Sequence, residues 1–150
     1  MSAGRHSDPH ALPAFLLLPV FVQFALTVYV LVRLGLGRVR AVRRGRVKLS
    51  EVDSKKAGYP EATQNFANNY RSQFELPVLF YAVVAFAMAA GLADSFLTGL
   101  AWGFVMLRLL HSFVHTGKND IALRFKVFVA GLIFLTGMWV WFGLRLFVIG

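Results

Sequence analysis

Cysteine is absent from the chain, which removes disulfide scaffolds, thiolate metal sites and protein thiol nucleophiles together. Any thiol chemistry here has to use a thiol carried by a ligand. Charge is also scarce: only 15% of the 150 residues are charged, and Asp and Glu number 7 against 16 Lys and Arg. A water-soluble domain of this size needs polar residues over most of its surface, and this chain does not have them. The same shortage excludes a disordered chain, and the lack of a strict repeat excludes collagen and coiled coil.

What fills the space is apolar. Hydrophobic residues make up 57% of the chain, with 15 Phe, and the mean hydropathy is +0.61. The bilayer is the solvent that suits such a composition. The net charge of +9 would point to nucleic acid in a soluble protein. Nine of the basic residues, however, fall between two long apolar runs: Arg38, Arg40, Arg43, Arg44, Arg46, Lys48, Lys55, Lys56 and Arg71. Anionic lipid headgroups are the partner for that placement, and no nucleic-acid role is expected.

Four runs are long enough to cross a ~30 Å hydrocarbon core. Ala11–Val32 carries no formal charge, Leu76–Ala93 follows a polar lead-in, Ser95 to about His115 contains Arg108 and His111, and Val127–Leu144 ends among Trp139, Trp141, Phe142 and Phe147. The first run is too long for a cleaved signal and its basic cluster follows rather than precedes it. The expected fold is therefore all-α: a single integral-membrane domain, an up-down four-helix bundle. Its spans lie at about 12–36, 72–93, 95–115 and 125–147, with a basic loop over 37–71. The lead-in with Asn65, Asn68, Arg71 and Glu75 is expected to continue the second helix below the membrane. Asp94 or Ser95 should cap the third span, and Gly117 suits its C-terminal end.

Lys and Arg number nine between spans one and two and three between spans three and four, against none between two and three and Arg5 alone at the N-terminus. Loops 37–71 and 116–126 should then be cytoplasmic and both termini on the opposite side. Two small-residue pairs, Gly99 with Gly103 and Ala87 with Gly91, allow close helix contact, either within the chain or between subunits.

Charges inside a span cost ~2.5 to 3.5 kcal/mol on insertion scales, so those retained there pair or act. Glu75 precedes Pro77 at the start of the second span, and Arg108, His111 and His115 share one face of the third. A Glu75–Arg108 ion pair joining the two helices is the structural expectation. His111-x3-His115 has the spacing of two helical metal ligands, but with no cysteine or further histidine cluster no metal site is expected. The stripe Asn65, Asn68, Arg71 or Ser72, Glu75 runs toward these charges. With Arg38, Arg40, Arg108 and Arg124 it would form a basic pocket at the membrane interface, suited to a small anion bearing carboxylates.

The segment Asn68-Asn69-Tyr70-Arg71-Ser72-Gln73-Phe74-Glu75-Leu76-Pro77-Val78-Leu79-Phe80-Tyr81, followed by Arg108-x-x-His111-x-x-x-His115 and Asn119-Asp120-x3-Arg124, resembles the MAPEG family, the membrane-associated proteins in eicosanoid and glutathione metabolism. The likeness spans about residues 12–147. It implies a homotrimer of four-helix subunits that binds glutathione between neighbouring subunits. By the same resemblance Glu75 would contact the glutathione backbone, Arg71 and Arg108 with His111 would surround it, and Arg38 or Arg40 would supply the basic residue after the first helix. Arg124 would approach the sulfur as the catalytic residue. A guanidinium there favours the thiolate of a thiol whose ordinary pKa is ~8.5.

Three positions depart from the family pattern: Asn68 and Ser72, included in the expected glutathione set, stand where an arginine and an asparagine are common, and Phe128 stands where synthase-like members carry a tyrosine. The implied function is a membrane-embedded glutathione transferase or peroxidase acting on a hydrophobic electrophile that arrives from lipid. The alternative is a non-catalytic relative that holds a lipid headgroup or serves as a scaffold.

Overall fold

A computed structural model describes residues 11–48, 50, 58–117 and 120–149. Arg5, Lys55, Lys56, Lys118 and Asn119, which entered the charge count and the motifs, lie outside the described residues. The described chain is helical with no strand: α1 (Ala11–Arg43), α2 (Glu61–Ser72), α3 (Leu76–Ala89), α4 (Ser95–Thr116) and α5 (Ile121–Leu144), closed by a π-helical turn over Arg145–Ile149. Four segments are long and apolar enough to span a membrane: Ala14–Arg43, the α2–α3 segment Glu61–Ala89, Ser95–Thr116 and Ile121–Val148. The expected membrane four-helix architecture is present.

Two element boundaries differ from the sequence reading. α1 has 33 residues, about 50 Å at 1.5 Å per residue, so it extends well past a ~30 Å core. Arg38 and Arg40 consequently lie on helix rather than in a loop. The second span, expected as one helix with its lead-in, is broken at Gln73–Glu75. Pro77 has no N–H and its ring displaces the carbonyl one turn earlier, that of Gln73. The chain answers with short bonds, Gln73 N–H to the Tyr70 carbonyl and Phe74 N–H to the Arg71 carbonyl, and Glu75 leaves helical geometry at φ −94°, ψ −101°.

The apolar core lies toward the end of the bundle where α3 meets α4. It joins Leu16 of α1, Phe80, Val83, Val84 and Ala87 of α3, Leu97, Ala101, Phe104 and Val105 of α4, and Leu135 and Met138 of α5. Phe80 and Phe104 stack with centroids 4.9 Å apart. Outside this core the helices present large apolar side chains, Phe21 at 64% exposure and Ile133 at 65% among them, as lipid-facing surfaces do.

The tight α3–α4 turn is built from three pieces. Gly91 adopts φ +68°, and the bonds Gly91 N–H to the Met88 carbonyl and Leu92 N–H to the Ala87 carbonyl form a Schellman motif. Asp94 then caps α4, one carboxylate oxygen accepting from Leu97 N–H at 2.7 Å and the other from the Trp141 indole at 2.8 Å. Gly91 is thus a turn residue rather than a packing surface, which corrects its pairing with Ala87. Gly103 does pack: a Cβ there would overlap the Phe134 ring of α5, whereas Gly99 faces open space. At the other end Asp120 caps α5 through Leu123 N–H, and Gly117 ends α4 at an ordinary φ of −93°.

Candidate functional site

The inner face of α4 carries Arg108, His111, Ser112 and His115, all buried. Arg108 is 2% exposed. Its Nη2 donates to the Ser72 carbonyl at 2.8 Å and to the Ser72 hydroxyl at 3.2 Å, which ties α4 to the last turn of α2. Its Nε and Nη1 have no hydrogen-bond partner. The expected ion pair with Glu75 is therefore not made: Glu75 sits in the break between α2 and α3 with its side chain exposed. The physical reason is the Pro77-induced break, which takes Glu75 off the helical face that continues from Ser72.

His111 and His115 lie edge to face with centroids 5.7 Å apart. The His111 ring lies 6.1 Å from that of Phe128. Nδ1 of His111 and both ring nitrogens of His115 are buried without partners. No group of three His, Asp or Glu side chains converges among the described residues. At the start of α5 a cavity of about 230 Å³ is lined by His111, Ile121, Arg124, Phe125 and Phe128. Arg124 and His111 thus meet at one cavity, with buried Arg108 one turn along α4.

The other expected site residues go elsewhere in the single chain. Asn68 and Arg71 are exposed on α2. Ser72 is buried, its hydroxyl donating to the Asn69 carbonyl at 2.8 Å. Arg38 is exposed on α1 with its guanidinium 5.6 Å from the Tyr59 ring centroid. Arg40 lines a different cavity, between α1 and α2.

Sequence reasoning missed a buried amide network beside the site. Gln23 of α1 donates to the Gln73 side-chain oxygen at 2.8 Å, Gln73 donates to the Asn69 side-chain oxygen at 2.8 Å, and Asn69 donates to the Ser112 hydroxyl at 2.6 Å. Gln23, Asn69 and Gln73 are 0%, 0% and 2% exposed. The available signal was Gln23, an amide in the middle of a charge-free apolar run, which in lipid requires a partner. The partners could not be assigned, because they come from three other positions brought together only by folding.

No curated protein and no solved structure shows significant similarity to this chain. The family comparison agrees with the motif of the second and third spans and with the four-helix membrane architecture: the MAPEG family model matches residues 16–144, and the chain belongs to the MAPEG family.

Proposed function

We propose that this protein is a membrane-embedded, glutathione-dependent transferase or peroxidase that acts on a hydrophobic electrophile dissolved in the bilayer. The observation that carries this reading is the cavity shared by Arg124 and His111, set beside a buried Arg108 two of whose guanidinium nitrogens have no partner. A buried cation with open donors is a costly arrangement unless an anion comes to it. Glutathione brings two carboxylates and, near Arg124, a thiol whose ionised form a guanidinium stabilises. The thiolate then attacks the electrophile and the leaving group departs, with no protein thiol required.

The exposure of Asn68, Arg71 and Glu75 fits a site completed by a second subunit: these groups face outward from one chain, where a neighbour's α4–α5 cavity would meet them. In that homotrimer the apolar co-substrate enters from lipid along α1 and α5. The competing reading, a non-catalytic relative that holds a lipid headgroup, is favoured by Phe128, which presents a ring without a hydroxyl to the cavity.

Titration of purified protein with glutathione, followed by the ultraviolet absorbance of the thiolate, tests the proposal. Binding with a thiolate signal is expected. Arg124→Ala should largely keep binding, lose the signal and slow conjugation of a hydrophobic electrophile by ~10²-fold, the scale of one lost electrostatic contact. If saturating glutathione gives no thiolate signal in the unaltered protein, the transferase reading fails and the headgroup-binding reading replaces it.

A further inference from the structure

From Phe15 to Arg33, α1 rises about 27 Å, close to the thickness of the hydrocarbon core, so the helix beyond Arg33 lies at headgroup level. It ends at Arg43 in a Schellman turn. Gly45 takes φ +66°, its N–H bonds the Val42 carbonyl at 2.9 Å, and Arg46 N–H bonds the Ala41 carbonyl at 3.0 Å. The turn folds the chain back, buries Val47 and brings Arg46 to the same cleft as Arg33, Arg40 and Arg44. Those three already share one helical face, at i, i+7 and i+11.

The opposite wall is the first turn and a half of α2. It comes close because Gly37 has no side chain: a Cβ there would stand 2.9 Å from the Thr63 hydroxyl oxygen. Phe66 holds the Arg33 guanidinium, with Cζ 5.2 Å from the ring centroid. The cleft encloses about 190 Å³, and none of the described residues lining it is acidic. Glu61, in the same turn of α2, is not among them. Four arginines line this one small cleft; their like charges repel one another, and a shared anion removes that repulsion. Their planar forks match phosphate oxygens two at a time.

We propose that this cleft between α1 and α2 is a binding site for a phosphate group, carried either by an anionic phospholipid headgroup or by a soluble phosphate ester. Its lining shares no residue with the His111–Arg124 cavity; Arg40, one of the two basic residues the family resemblance offers to glutathione, lines this cleft, so the test varies Arg44 and Arg46 instead. A phosphate monoester suits it better than a carboxylate, because its second charge and third oxygen use cations that a carboxylate would leave unmatched.

The test weighs detergent-solubilised protein by native mass spectrometry with phosphatidic acid, with phosphatidylcholine, and with glycerol phosphate as a soluble competitor. The unaltered protein should retain phosphatidic acid at least ~10-fold better than phosphatidylcholine. Arg44→Ala with Arg46→Ala should lower that preference about tenfold, as loss of charge-assisted bonds implies. Arg43→Ala with Lys48→Ala removes the same charge from exposed neighbours outside the cleft and should leave the preference in place. Displacement of lipid by glycerol phosphate would support soluble esters as a source; persistence of the lipid would support the headgroup alone. Equal loss in both double variants, or no preference for either phosphate probe over phosphatidylcholine, would overturn the proposal.

Discussion

Arg108 is buried with one guanidinium nitrogen bonded and two unused, and its bonded partner is the end of α2 rather than a carboxylate. That geometry decides how the charged set responds to mutation. Glu75 is exposed, so Glu75→Gln should change stability by less than ~0.5 kcal/mol. A double-mutant cycle of Glu75→Gln with Arg108→Gln, read by reversible unfolding in mixed micelles, should give a coupling below ~1 kcal/mol, because the Glu75 charge acts on Arg108 only from a distance, without a direct contact. A coupling of several kcal/mol would restore the ion pair. The amide network behaves differently, because Gln73 both accepts from Gln23 and donates to Asn69. Gln73→Leu strands a partner on each side and should cost ~1 to 3 kcal/mol. Adding Gln23→Leu should cost less than the sum, since it removes one of the groups left unpaired.

At the level of elements, the α4–α5 contact depends on what two glycines face. Gly103 receives the Phe134 ring and Gly99 receives nothing. Gly103→Ala should therefore destabilise by ~1 to 3 kcal/mol through overpacking, and Phe134→Leu in the same chain should recover part of it. Gly99→Ala should be neutral or slightly stabilising within the single chain, as alanine favours helix. Thermal unfolding of the three variants checks the order. If Gly99→Ala instead weakens subunit assembly while leaving the monomer's unfolding unchanged, Gly99 marks a contact between subunits. Gly91→Ala should cost ~1 to 2 kcal/mol, because its φ of +68° is the left-handed region.

For the whole molecule, the proposed intersubunit site needs the exposed polar side chains of Asn68, Arg71 and Glu75 to meet the His111–Arg124 cavity of a neighbour. A trimer in mild detergent, measured by native mass spectrometry, is the expected assembly, and a clean monomer would remove the intersubunit site. Sidedness rests on the basic residues that flank α1 and α5. Because the chain has no cysteine, a single introduced thiol can be labelled without background. Lys48→Cys should be protected in intact cells and Ser95→Cys labelled from outside; the reverse pattern inverts the topology.

The amino-acid sequence by itself determined the membrane class, the all-helical bundle, the family and a choice of Asp94 or Ser95 as the α4 cap, because each depends on local composition or short spacing. Apolar runs set the spans, and a carboxylate just before a helix caps it wherever the chain goes. Pro77 was visible too, yet the consequence of its break for Glu75 was not, since a small change in helix direction moves every side chain beyond it. Only the tertiary structure decided that Arg108 meets Ser72 rather than Glu75, that Arg40 faces the α1–α2 cleft, and that Gln23, Gln73, Asn69 and Ser112 form one network. Those outcomes depend on which faces of separate helices are pressed together, a non-local choice made by packing the Phe80–Phe104 core and by seating Phe134 against Gly103.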